Sequence, residues 1–482
     1  MISLLDVAER ARSGRKMDNK EWGLALFKKL QELIIKHELK QEGPEQFYEL
    51  DNEYADALFQ AAVHLLGELG VYCTHTHRTI TFSEYEVREA LREIPSEQKI
   101  GEGPDQRVWR QREIEDSSPP GINVGGHGPW SDELIPLPIV VRELVRNKRV
   151  DTIEGYMYAR IDGREVHNKA SRAYAARRAV AKVREGLAMA GRSGLAITYY
   201  PVLTDAFSML VPFDAERGLR KSDGGFFTIL PDLMVEEELI GAALVYNDLG
   251  CYGLSGGSGA GPWGGAVEGR MIESTVGCLT NWLVYRDTLI EGGGASAGRG
   301  VPRSSKAEAV GVQMARNRPE GMKWQSFAVH KALMRNTNQI YYRWLFGGNR
   351  RYWDMTSEPY LLRVALSSMR STLIGLNFRV GDTNPPTYTN WVIETSDAVI
   401  KSNIGLEDFV ELSKRVFKEK LEDHPIKAVR QDQRMHVYGK NPSAFLAAGL
   451  KAYDWYKQKP TDEYVKGERK ARNYLRDIGL TI

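Results

Sequence analysis

Only three cysteines, Cys73, Cys251 and Cys278, occur in 482 residues. They are too few and too scattered for a disulfide framework or a Cys-x-x-Cys zinc site, and a reducing cytoplasm is the simplest compartment for such a chain. An excess of charge is also lacking, since 65 Lys and Arg against 63 Asp and Glu leave a net +2. That balance supplies no field for nucleic acid or an anionic membrane, so neither partner is expected. No apolar run reaches membrane-spanning length. Residues 1–16 intersperse Leu4, Leu5, Val7 and Ala8 with Asp6, Glu9, Arg10 and Arg12, an amphipathic helix and not a signal sequence. Internal repeats and low-complexity tracts are missing too.

Aromatic side chains are plentiful, with 22 Tyr and 10 Trp. Flat amphipathic rings can line a pocket for a planar ligand. They serve equally as core filler and at subunit contacts, and a homo-oligomer is expected.

The length suits one large α/β barrel or two ordinary domains. Helical spacing of Trp22, Leu26, Phe27, Leu30, Leu33 and Ile34, and again of Leu58, Ala62, Leu65 and Leu66, predicts an N-terminal helical extension over 1–120. A glycine- and proline-bearing stretch, 101–120, interrupts the pattern. Short strands then alternate with long helices, the signature of a parallel sheet with crossover helices. Strands are expected at 121–124, 152–161, 195–200, 225–230, 250–255 and 289–292, and further ones at 323–328 and 344–348. Helices are expected at 133–147, 170–190, 235–248 and 267–285. The fold class is therefore α/β, with a (β/α)8 catalytic domain over 121–400 and C-terminal helices over 401–482.

Two glycine runs stand out. Gly256 to Gly264 contains Gly259-Ala260-Gly261-Pro262-Trp263-Gly264, which matches Gly-x-Gly-x-x-Gly. Proline and tryptophan at the narrow phosphate-facing positions, and a place deep in the series, argue against dinucleotide binding. Loops after barrel strands form the active mouth, where Gly257, Gly259 and Gly261 would let a bulky flat cofactor approach the backbone. A second run spans Gly292 to Gly300. His75 and His77 sit two apart without a companion carboxylate or cysteine and read as turn or packing residues.

The stretch from Ala188 to Thr198, Ala-Met-Ala-Gly-Arg-Ser-Gly-Leu-Ala-Ile-Thr, resembles the segment of the monomethylamine:corrinoid-protein methyltransferases in which an Ala-Met-Ala-Gly-Arg turn feeds a strand ending in pyrrolysine. Leu69 to Arg78, Val150 to Ile153, Gly125-Gly126 with Ser131-Asp132-Glu133, Gly347-Gly348-Asn349, and Ala471-Arg472 with Leu475 to Leu480 are similar to the same family. The likeness covers most of the chain and is most specific in its N-terminal third. It implies a TIM barrel and methyl transfer to a corrinoid carried by a separate partner protein.

Thr198 stands where pyrrolysine, the residue that captures the amine, would. A threonine hydroxyl is neither electrophilic nor acidic near neutral pH, so monomethylamine becomes an improbable donor. The resemblance also places the family's two glutamates near Thr228 and Leu254, with Asp232 or Glu236 as neighbours a few residues away. It places the family's glutamine on Arg350 and keeps a tyrosine as Tyr352. The substrate-binding set is thus Arg350, Arg351, Trp353, Tyr199 and Thr228, and the catalytic set Tyr352, His127 and Thr198. An arginine gripping a carboxylate beside two rings suits a methoxylated aromatic acid, whose phenolate needs only a weak general acid to leave. A methylated amine or betaine with a fixed positive charge is the alternative donor, and a barrel that only binds ligand or corrinoid protein is a third reading. A zinc Lewis acid stays open without a ligand set.

Overall fold

A computed structural model describes residues 2–40, 43–126, 129–130, 132, 135–199, 205–214, 216–255, 261–291, 324–345, 354–381, 384–424 and 451–482. Eight parallel strands close a barrel in sequential order. They are β1 (Ile122–Val124), β2 (Thr152–Glu154), β3 (Ala196–Tyr199), β4 (Gly224–Phe227), β5 (Tyr252–Ser255), β6 (Asp287–Glu291), β7 (Ile340–Trp344) and β8 (Asn377–Val380). The ring closes where Arg379 of β8 faces Asn123 of β1, and Asn123 faces Thr152 of β2.

Before the barrel the described residues form the α-helices α1 (Leu4–Ser13), α2 (Asn19–Lys36), α3 (Asn52–Glu68) and α4 (Glu84–Arg92). Helices α5 (Leu137–Leu144), α6 (Lys169–Met189), α7 (Ala206–Leu210), α8 (Glu237–Asp248), α9 (Val267–Tyr285), α10 (Trp324–Asn336), α11 (Glu358–Leu373) and α12 (Pro386–Lys401) follow β1 to β8 in turn. The outer helices α13 (Leu406–Val416) and α14 (Asp462–Asp477) come last. Capping boxes start α1 at Ser3 and Asp6 and α2 at Asp18 and Glu21, so local chemistry satisfies the first free backbone N–H groups. Among the described residues no helix is long and apolar enough to cross a membrane. The three cysteines are buried free thiols.

Three expectations need correcting. The segment expected as a strand at 323–328 begins the helix α10, because Phe327, Ala328, Ala332 and Leu333 are buried at helical spacing and six residues are too few to reveal it. Strand β7 ends at Trp344, where a strand was expected to begin; the aromatic run Ile340 to Trp344 after the polar Asn336-Thr337-Asn338-Gln339 is the real strand. The eighth strand, β8, had no expectation at all. The proposed strand 152–161 also divides at Gly155, where a Cβ would lie 2.6 Å from the Tyr199 ring, and continues as a hairpin, Arg160–Ile161 with Arg164–Glu165.

The N-terminal extension grips both ends of the barrel. A hairpin of Glu97–Ile100 and Arg107–Arg110 covers the end where the strands begin, with Trp109 Nε1 donating to Asp151 at 3.1 Å. At the other end, Val71–Cys73 pairs with Arg78–Ile80 and, in parallel, with Met234–Val235 from the loop after β4. His75 and His77 lie in the turn of that hairpin.

Candidate active site in the barrel lumen

Strand alternation assigns the lumen, because successive side chains point to opposite faces. Ile122, Val124, Ile153, Ile197, Tyr199, Phe227 and Ile290 belong to the layer between strands and helices. Ala196, Phe226, Tyr252, Leu254, Leu289, Ile340 and Tyr342, with Ile100 and Trp109 from the covering hairpin, form a separate buried cluster inside.

Thr198 is fully buried and faces this interior. Its Oγ1 lies 2.7 Å from Tyr252 Oη and 3.1 Å from Thr152 Oγ1, and Thr152 Oγ1 lies 3.3 Å from Tyr252 Oη. Thr152 in turn donates to the Ala196 carbonyl at 3.0 Å. Burial pushes the Tyr252 hydroxyl well above the usual phenol range, so this cluster is neutral at physiological pH. Strands β2, β3 and β5 are thereby tied across the lumen at the position where the resemblance puts pyrrolysine.

Toward the strands' carboxyl ends sits a buried charge pair. Arg379 donates to both carboxylate oxygens of Glu154, through Nε to Oε1 and through Nη2 to Oε2 at 2.9 Å. Both side chains are buried, at 1% and 0% exposure, so the pair is shielded from water. The guanidinium lies 4.2 Å from the Trp344 ring centroid and 4.6 Å from that of Phe226. Such flat stacking suits Arg in a way that Lys could not match. Tyr342 Oη donates to the Ser255 carbonyl and completes the aromatic wall. None of these five residues was among the expected site residues. Glu154 directly follows the Val150 to Ile153 match, the one signal that pointed to it.

The expected residues divide sharply. Thr198 and Leu254 belong to the inner face, while Thr228 directly follows β4, its hydroxyl buried and, among the described residues, without a hydrogen-bond partner. Tyr199 does not join them: one residue on from Thr198, it is fully buried in the strand–helix layer, which corrects its assignment to the substrate. His127, Arg350, Arg351, Tyr352, Trp353, Gly257 and Gly259 lie outside the described residues. His330 is buried on α10, with Nε2 2.7 Å from the Ile374 carbonyl, a packing role. Among the described residues no three His, Cys, Asp or Glu side chains cluster to hold a metal ion, so no zinc ligands are named.

Gly261 and Asp232 meet at a second buried centre beside the mouth. Glu273 of α9 accepts through Oε1 from the backbone N–H groups of Asp232 at 2.7 Å and Gly261 at 2.8 Å. Asp232 accepts from Trp263 N–H at 3.0 Å, and its carbonyl accepts from Trp22 Nε1 of α2 at 2.7 Å. A Cβ at Gly261 would lie 2.0 Å from the Asp232 carboxylate, so the glycine is required for this approach and not for a nucleotide. Burial foremost, opposed by the Gly261 N–H and reinforced by the Asp232 charge, raises Glu273 from 4.5 to about 8. The fold therefore favours the protonated acid, and this contribution to stability, complete below about pH 4.5, is lost as pH rises through about 8. The thermal midpoint of Glu273→Gln is expected to fall less than that of the parent between about pH 5 and pH 9. Parallel pH curves for the two proteins would contradict this.

The family model described as monomethylamine methyltransferase MtmB matches residues 2–276. Monomethylamine methyltransferase MtmB2 of Methanosarcina acetivorans is 28% identical over 244 residues, covering 50% of this chain and 52% of that protein. MtmB1 of the same organism is 30% identical over 194 residues, covering 40% and 42%. The matched region thus spans about half the length of these relatives or less. The crystal structure of the Methanosarcina barkeri monomethylamine methyltransferase superposes with a TM-score of 0.74 at 21% identity, covering 99% of this chain and 98% of that one. The same values hold for its hydroxylamine complex.

Proposed function

Because the chain belongs to the monomethylamine methyltransferase family, we propose that it moves a methyl group from a small methylated amine to the Co(I) of a separate corrinoid protein. The observation that carries the choice of donor is Thr198 itself, whose hydroxyl is held by Tyr252 and Thr152 inside the lumen. No electrophile stands there to capture a primary amine. In an in-line displacement the N–C bond breaks as the Co–C bond forms, and the electron pair departs with nitrogen. That is feasible only if nitrogen already carries a positive charge and leaves as a neutral amine. A quaternary ammonium donor carries that charge permanently and needs no covalent help, whereas monomethylamine carries it only while protonated.

The lumen suits such a donor. Phe226, Tyr252, Tyr342 and Trp344 make the interior aromatic, and rings of this kind recognise quaternary ammonium groups. Within the pair, Glu154 offsets the charge of Arg379. The protein's contribution to rate is orientation of the donor carbon and exclusion of water, not acid catalysis. The methoxylated aromatic donor rested on Arg350 and Tyr352, outside the described residues, while the relatives are named for monomethylamine.

A direct assay supplies reduced corrinoid protein with tetramethylammonium, trimethylglycine, monomethylamine or methoxybenzoate and follows methyl–cobalt absorbance. Methylation from a quaternary donor and none from monomethylamine is the expected result. Transfer from methoxybenzoate alone would replace the amine reading with the ether reading.

A further inference from the structure

Asn123 is the one inner-face residue of β1, between Ile122 and Val124, which belong to the outer layer. Its backbone is in register with Arg379 on one side and Thr152 on the other. Both of those side chains reach across the lumen, Arg379 to Phe226 and Thr152 to Tyr252. Asn123 is 1% exposed, yet among the described residues neither its Nδ2 nor its Oδ1 has a hydrogen-bond partner. An unmatched buried carboxamide is rare, because burial removes its water without replacing it. Leucine, of nearly the same volume, would fill the position without that cost. Thr228 Oγ1, directly after β4, is a second polar atom that is buried and without a hydrogen-bond partner among the described residues.

Resting on the donor reading above, we propose that Asn123 is a specificity-determining residue whose carboxamide binds a hydrogen-bonding group, a carboxylate or carboxamide oxygen, carried by the methyl donor apart from its methylated nitrogen. Nδ2 donates to that oxygen from a strand position whose backbone is in register with Arg379. The ring faces hold the methylated end. A donor lacking such a group leaves the amide unmatched and binds more weakly, which is how a buried polar group rejects the wrong ligand.

The test compares wild-type protein with Asn123→Leu, using trimethylglycine and tetramethylammonium as probes. Calorimetric Kd, KM against kcat in methyl transfer, and the thermal midpoint of the ligand-free protein are the readouts. The expected result is that N123L loses about tenfold to a hundredfold in Kd and KM for trimethylglycine. Its kcat and its affinity for tetramethylammonium stay within about twofold, and its ligand-free midpoint is at or above that of wild type. Equal loss for both probes, no loss for either, or a ligand-free midpoint several degrees lower overturns the assignment, since each marks a structural amide. Absence of any binding by wild type overturns the donor class itself, and is told apart from the other failures because there the parent still binds.

Discussion

Arg379→Met lowers the stability of the folded chain by about 3 to 5 kcal/mol, because it removes the bidentate ion pair that Arg379 makes with the buried Glu154 carboxylate. Glu154→Gln acts in the opposite sense, taking the carboxylate from a guanidinium that lies against the Trp344 and Phe226 rings. The double variant recovers most of the loss, since removing both charges removes the penalty as well as the attraction. Urea unfolding of the three variants measures this directly, and additive single losses in the double variant would show that the pair is not coupled. Methyl transfer is not recovered in the double variant if the pair also shapes the lumen. A double variant with wild-type turnover would confine Glu154 and Arg379 to a structural role.

A loss of the same order follows from Arg192→Ala, at the turn that carries the family resemblance. Arg192 is 1% exposed. It ion-pairs with Asp105 through Nε, and donates to the carbonyls of Val145 at 3.0 Å, Asn147 at 3.3 Å and Val150 at 2.8 Å. One guanidinium thus joins the end of α5, the segment entering β2 and the turn of the covering hairpin. Truncation strands a carboxylate and three carbonyls, and about 3 to 5 kcal/mol or outright failure to fold is expected. Arg192→Lys keeps the charge but cannot reproduce the fork, so it recovers only part of the loss. Asp105→Asn on the Arg192→Ala background removes the stranded charge, and a further fall in midpoint there would contradict this account. The Ala-Met-Ala-Gly-Arg turn is thus a structural element at the end of the barrel remote from the site, which it serves by fixing the strand that presents Thr198.

How far the sequence could be read depended on the length of each element. Helices of a dozen residues or more, such as α6 and α9, show their period and were legible within one or two residues. Barrel strands of three to five residues are buried on both faces and carry no alternating pattern. β8 was therefore missed, and Arg379 with it. Thr198 was found by its motif, and Tyr199 was wrongly joined to it because adjacency along a strand means opposite faces.

By itself, the sequence determined that a parallel barrel is present, which family it comes from, and that the pyrrolysine position carries no electrophile. These depend on residue identity and on spacing along the chain. Only the tertiary structure decided what surrounds Thr198. Glu154 and Arg379 are 225 positions apart, and Thr198 and Tyr252 are 54 apart. A closed ring of strands brings such residues together across its axis, whereas alternation along one strand says which side a residue faces and nothing about what it will meet. That is why Thr198 announced a missing chemistry, and why Asn123, Glu154 and Arg379 emerged only when the barrel closed.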